Sequence, residues 1–373
     1  MSVAVGPSVP DGAHRDIQSR IQGQHIPALD AVRGIAALMV VFTHMGLLPR
    51  QFGALGVAIF FVLSGFLITW LLLRENDQAG DVSLRNFYVR RTLRIFPAFY
   101  VFWAVSICAT LLRSAQILWP EAWASFFYMG GYYGALALGV GAGTSTIMGI
   151  TWSLGVEEKF YLIWPWVFRK FRNNATTLLR ICLGTVLLVW LYRILVCLFL
   201  NVPRDYLRYA FESRIDNIMI GALAAVAVRF GVLPKQITAA TRWKFAPMVG
   251  IAVLVASTLL EQHLPPAYHY VFGMTFDSVV IVIILLQLIV VSDRTGWRWL
   301  EMSVPRFFGK ISYSLYLYHL PVLLTVGYFL SHYRYRFQLV ADFVFSILLA
   351  TLSYQLVEKP FLRLKRRFER AEA

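Results

Sequence analysis

One stretch of this chain, ALDAVRGIAALMVVFTHMGLL from Ala28 to Leu48, is apolar enough to enter a membrane yet holds Asp30, Arg33 and His44. An ionisable side chain in a lipid span is costly, so it points to an interior functional position unless it snorkels to the headgroups. Arg33 and His44 lie eleven residues apart. Eleven steps of about 100° return to within about 20° of the same helix face, about 16 Å along the axis. The two side chains therefore share a stripe without touching. An imidazole titrates near neutral pH and suits a general base, whereas a guanidinium at the other end of the stripe suits an anion.

Further along, LRNFYVRRTLRIFPAFY gathers Arg85, Arg90, Arg91 and Arg94 just before an apolar run. Arg91 and Arg94, at i and i+3, project from one helical face. Two such forks side by side fit a phosphate-bearing ligand, and Arg90 is counted with them; the competing reading is a stop-transfer or anionic-lipid cluster. In TWSLGVEEKFYLIWPW, Glu157 is expected about 10 Å below the outer surface, level with His44, where its carboxylate would orient the imidazole. Glu158 points away from it, and Lys159 is free to pair with either acid. FESRIDNIMIG brings Arg214 and Asp216 towards the same outer pocket as candidate substrate contacts, together with Trp152. Trp152 or Ser153 are the nominees for oxyanion donors. In ISYSLYLYHLPV, His319 follows Ser312, Tyr313 and Tyr316; its expected place in the inner half of its span predicts no contact with His44 and a structural or cofactor-lining role. Ser64 lacks the strand-turn-helix setting of a nucleophile elbow, and Ser64-Gly65 reads as a close helix-packing pair.

The elements that must position these residues are membrane helices. The 373 residues are 58% hydrophobic and 15% charged, a membrane-protein composition. Ten apolar stretches of spanning length can be placed, at roughly 31–49, 54–73, 95–113, 150–168, 179–200, 214–231, 246–261, 274–292, 312–331 and 338–357. The glycine-rich segment from Trp119 to Gly149 reads as an outer loop that re-enters the bilayer. Of 35 Lys and Arg, 30 belong to the tails and loops, with Arg180 and Arg229 counted at the loop edges, and 25 of these fall in alternate loops and the two tails. Basic residues concentrate in cytoplasmic loops, so both termini are expected in the cytoplasm. The net charge of +15 is then a topology signal, and no nucleic-acid partner is expected because no soluble basic domain is present.

Three domains are expected: a cytoplasmic disordered tail over 1–28 without signal-peptide character, a transmembrane domain over 29–358, and a basic cytoplasmic tail over 359–373. Cys108, Cys182 and Cys197 fall inside spans and read as packing residues, with neither a disulfide framework nor a metal site.

ALDAVRGIAALMVVFTH, GVAIFFVLSGFLIT, FYVRRTLRIFP, TWSLGVEEKFYLIWP, RIDNIMIGALAA, KISYSLYLYH and VEKPF, in that order, resemble the signature segments of the acyltransferase-3 family of bacterial membrane O-acyltransferases. The resemblance covers residues 28 to 361. It implies an all-α integral membrane protein of ten spans in the bacterial cytoplasmic membrane. The implied reaction moves an acyl group, usually acetyl, from cytoplasmic acyl-CoA to a hydroxyl of a carbohydrate. It also implies that Arg33 and His44 are essential and that Arg91 and Arg94 face the acyl donor. His44 would be the general base, with a transient acyl-histidine as the alternative. Many members that modify surface polysaccharide append a hydrolase-like domain that these residues do not include, so the acceptor stays open between a polysaccharide precursor and a secreted small molecule such as a macrolide. Membrane lipids and a second copy of the chain complete the expected partners. A transporter that relays protons through His44, Glu157 and Asp216 is the reading from another class; the lack of paired halves argues against it.

Overall fold

The computed structural model describes residues 17–21, 26–139, 147–199, 204–241 and 243–368. Among them there is no strand. Ten helices of substantial length follow one another: α1 Pro27–His44, α2 Arg50–Ala79, α3 Leu84–Leu112, α4 Thr151–Phe171, α5 Ala175–Phe199, α6 Phe211–Phe230, α7 Ala246–Leu260, α8 Met274–Val291, α9 Ser303–Phe329 and α10 Tyr335–Ser353. Seven segments are long and apolar enough to cross a membrane; they contain α1, α2, α3, α5, α7, α8 and α10. The chain is thus an all-helical, multi-pass membrane protein. The other three, α4, α6 and α9, fall outside that set and carry most of the polar residues singled out above.

Local chemistry sets the ends of α1. Pro27 needs no N–H partner in the first turn, and Asp30 complements the positive end of the helix dipole. The chain leaves the helix after His44 through Gly46, whose φ of +74° a side chain would resist. A second proline, Pro49, precedes α2.

The helices that hold the site pack through glycine. A Cβ on Gly65 of α2 would enter the contact shell of the Ile218 carbonyl on α6, and one on Gly221 would do the same to the Val62 carbonyl on α2. Gly34 on α1 meets Gly309 on α9 in the same way: a Cβ on Gly34 would stand 2.7 Å from the Gly309 nitrogen. Small residues let helix backbones approach where lipid offers no hydrophobic drive for association. The pairings α2–α6 and α1–α9 are accordingly the most extensive in the bundle. By contrast α5 turns Leu183, Leu187, Leu188, Leu191, Leu195 and Leu198 outwards, a stripe suited to lipid.

Several expectations change here. Residues 17–21 are helical, bury Ile17 and Ile21, and are tied down by Gln18 to the carbonyls of Val228 and Arg229 at 2.7 and 3.0 Å. That part of the expected tail is anchored. The glycine-rich segment expected as an outer loop forms two short helices, Trp119–Phe126 and Gly130–Gly139, neither of spanning length; Gly141 and Gly143 lie outside the described residues. Lys359–Lys365, at the start of the expected basic tail, continues helically from α10 through the π-turn Tyr354–Glu358.

Candidate active site

A cavity of about 300 Å³ opens among α1, α2, α3, α4 and α9. Its mouth is basic. Arg33, Arg74, Arg91, Arg94 and Lys365 line it, with Asp30 among them. Further in lie Ser64, Glu157 and Tyr161, and beyond them Ser153 and Tyr316. Ser83 caps α3 by accepting from the Asn86 N–H at 3.4 Å, which fixes the start of the helix that presents the arginines. Arg91 lies over the rings of Tyr161 and Phe87, 5.3 and 5.7 Å from their centroids. Arg33, Arg91 and Arg94 make no hydrogen bond or ion pair with another described residue. Three guanidinium forks thus face one cavity with their donors unspent, the arrangement an anionic ligand with several oxygens would satisfy.

Arg90 does not join them. Its guanidinium is 2.7 Å from the Glu75 carboxylate and also donates to the Phe368 carbonyl at 3.0 Å, so the expected third arginine of the phosphate cluster is a fastener between α2, α3 and the segment after α10.

Glu157 also departs from expectation. Its carboxylate accepts from the Ser64 hydroxyl, which itself accepts from Tyr161 at 3.1 Å. It belongs to the cavity and not to the histidine. Gly65 performs the close packing expected of Ser64-Gly65, leaving Ser64 turned into the cavity. At the inner limit, the Ser153 and Tyr316 hydroxyls are 2.6 Å apart and share the Ile150 carbonyl, at 3.2 and 3.1 Å.

His44 closes α1 at the opposite end from the arginines, with its side chain exposed. Against expectation it meets His319. The Nδ1 of His44 lies 3.2 Å from Nε2 of His319, and the ring centroids are 5.0 Å apart. His319 is buried and one turn beyond Tyr316, which lines the cavity's inner end; neither histidine lines the cavity itself. Its predicted cofactor-lining place is not found: His319 does not line the cavity.

Arg214 and Asp216 part company. Arg214 sits between the rings of Phe61 and Trp152, 5.6 Å from each centroid, and its Nε has no hydrogen-bond partner. Asp216 instead forms a fully buried ion pair with Arg193 of α5 at 2.6 Å and accepts from Thr275 at 2.8 Å. An intramembrane acid requires a compensating partner, and Arg193, a lone base in the middle of a span, was the signal for it. Lys159 pairs with neither acid of its helix; it donates to the carbonyls of Tyr128 and Gly155 at 3.0 and 3.1 Å. Trp152 packs on Tyr209 with centroids 5.3 Å apart.

A family model described as an acyltransferase domain matches residues 26–355. Among curated proteins, the chain is similar to the peptidoglycan O-acetyltransferase OatA of Listeria monocytogenes, 29% identical over 364 residues, which are 92% of this chain and 56% of that protein. It is also 29% identical over 356 residues to YrhL of Bacillus subtilis, provisionally named a peptidoglycan O-acetyltransferase, covering 90% of this chain and 55% of that one. The chain thus spans a little over half the length of these relatives. No solved structure matches it. With the family model covering all but the ends of the chain, and the cavity's arginines and His44 falling inside the matched region, the chain belongs to the acyltransferase-3 family.

Proposed function

We propose that this protein is a membrane O-acetyltransferase that takes an acetyl group from cytoplasmic acetyl-CoA and delivers it to a hydroxyl of a cell-wall carbohydrate on the outer face of the bacterial cytoplasmic membrane. The observation that carries this reading is the polarity of the site. Three guanidinium groups with free donors ring one end of a cavity, and one helical turn beyond Tyr316 at its other end His319 meets His44, which is exposed. In this reading the phosphates of the donor rest on Arg33, Arg91 and Arg94. The pantetheine arm extends past Ser64 and Glu157, and the thioester comes to the level of Ser153 and Tyr316. Those hydroxyls, bonded to the Ile150 carbonyl, would donate to the developing oxyanion by turning from that carbonyl towards it. His44 removes the proton from the acceptor hydroxyl as that oxygen attacks the carbonyl, and CoA leaves as the thiol. Arg214, held against Trp152, borders the acceptor side. The names of the relatives support a peptidoglycan acceptor. Ten crossings with both ends in the cytoplasm complete the arrangement.

The test is direct: purified protein in detergent, given acetyl-CoA and soluble peptidoglycan fragments, is expected to release free thiol in step with acetyl ester formation on the glycan. Absence of acetyl ester on any glycan offered, with no acetyl-CoA bound by the folded protein, overturns the reading.

A further inference from the structure

The contact between the two histidines fixes more than their proximity. His319 Nδ1 lies 2.7 Å from the Tyr316 carbonyl oxygen, and His44 Nδ1 lies 2.9 Å from the Val40 carbonyl oxygen. A carbonyl oxygen can only accept, so each Nδ1 carries a hydrogen. For a neutral His319 the lone pair then resides on Nε2, which is the atom 3.2 Å from His44 Nδ1. The hydrogen on His44 Nδ1 is therefore shared between the Val40 carbonyl and His319 Nε2. The reverse arrangement, with His319 donating from Nε2, would turn the lone pair of His44 Nδ1 against the Val40 oxygen. The direction of the chain is thus set from Tyr316 inwards. It leaves one ring nitrogen with an uncommitted lone pair, Nε2 of His44, on a side chain open to the outside.

We infer that His319 is a positioning residue for the transfer reaction: buried on α9, it holds His44 in the Nδ1–H tautomer so that Nε2 faces the acceptor hydroxyl as a base. This rests on the function proposed above. When His44 takes the hydroxyl proton on Nε2, its ring becomes a cation whose Nδ1–H still points at the His319 lone pair. The charge forms against an acceptor already in place. A histidine oriented by a fixed partner in this way follows the logic of a catalytic triad, in which the third member sets the tautomer and steadies the imidazolium. Here a neutral imidazole anchored on a main-chain carbonyl takes the place of the carboxylate. The packing supports the role, because Gly34 and Gly309 bring α1 and α9 together at one end of their contact and the histidines meet at the other.

Two measurements decide it. In wild-type protein labelled with 15N at histidine, solid-state NMR is expected to find His44 protonated at Nδ1 and bare at Nε2. The opposite tautomer overturns the proposal whether or not transfer has been reconstituted, which separates its failure from failure of the functional reading. In kinetics, His319→Phe keeps the ring volume and removes the acceptor; turnover is expected to fall roughly 10²-fold, with the KM for acetyl-CoA unchanged because the donor phosphates bind elsewhere. His319→Gln restores an acceptor near the position of Nε2 and is expected to recover most of that loss. Full turnover in a folded Phe variant overturns the proposal. So does a folded Gln variant as impaired as the Phe variant.

Discussion

At the residue scale, the assignment of His44 as base separates chemistry from binding. His44→Gln keeps hydrogen-bonding capacity and much of the volume but cannot take up a proton. Turnover is expected to drop by 10²- to 10⁴-fold, with acetyl-CoA affinity and melting temperature close to wild type; near-normal turnover would return His44 to a structural role. The donor arginines should show the converse. Replacing Arg91 and Arg94 by alanine removes charge-assisted contacts worth roughly 1.5 to 3 kcal/mol each, so the KM for acetyl-CoA is expected to rise steeply. Isothermal titration with acetyl-CoA checks this, and unchanged affinity would reassign the pair to topology or lipid contact. The residues in these two predictions were legible in the sequence, because a charge in an apolar run and a pair of arginines at i, i+3 are local signals. Their partners were not. The apolar stretch of the first span suggests 31–49, whereas α1 runs from Pro27 to His44, which puts His44 at the very end of its helix. Glu157, the seventh residue of α4, is about 9 Å further in. The same slip hid His319. Arg306 and Lys310 disguise the first turns of α9, which begins at Ser303, so residue 319 stands about 24 Å along the helix and reaches His44.

At the scale of elements, the site depends on two kinds of helix contact with different responses to mutation. The first is backbone approach at glycine. Gly221→Ala would drive a methyl group into the Val62 carbonyl, and Gly309→Ala would do so at Asp30. Each is expected to destabilise the protein by about 1–3 kcal/mol, the range of overpacked cores. A lower melting temperature in detergent would register it, while Gly184→Ala, where a Cβ meets no atom within 4 Å, should be silent. The second is the buried Arg193–Asp216 pair that joins α5 to α6. Asp216→Ala leaves a buried guanidinium without its counter-charge, expected to cost about 3–5 kcal/mol. Arg193→Met combined with Asp216→Leu should recover much of that loss. A double mutant no more stable than Asp216→Ala would show that Asp216 serves something other than this pairing. Periodic apolarity revealed the peripheral helices readily. It located α4 and α6 as closely, but it cut α9 short because Arg306 and Lys310 fall in its first turns.

At the scale of the whole molecule, the distribution of charge and the fold both bear on the proposed orientation. The sequence argument rests on 25 of the 30 Lys and Arg counted to the tails and loops falling in alternate segments. In the fold those segments meet one another. Arg20 pairs with Asp293, Gln18 bonds to the Arg229 carbonyl, Arg229 pairs with Asp77, Arg169 with Asp81, and Arg90 reaches the Phe368 carbonyl. Ile21 and Ile26 near one end of the chain and Lys365 near the other line the same cavity. The described segments nearest the two ends therefore meet on one face of the bundle, as an even number of crossings would require, and the orientation proposed above takes that basic face as the cytoplasmic one by the positive-inside rule. Seven apolar segments alone would make the number odd; the proposed ten crossings add α4, α6 and α9, despite the charges they carry. A fluorescent reporter that folds only in the cytoplasm, fused after Ala373, is accordingly expected to glow, and an export-dependent phosphatase at the same position to stay inactive. The short connection between α1 and α2 supplies the complementary measurement. A single cysteine at Leu47, which is half exposed, introduced into a chain whose three native cysteines are replaced by serine, should react with a membrane-impermeant maleimide added to intact cells or spheroplasts. Labelling only after lysis would invert the molecule, placing the arginine cavity outside and beyond the reach of cytoplasmic acetyl-CoA.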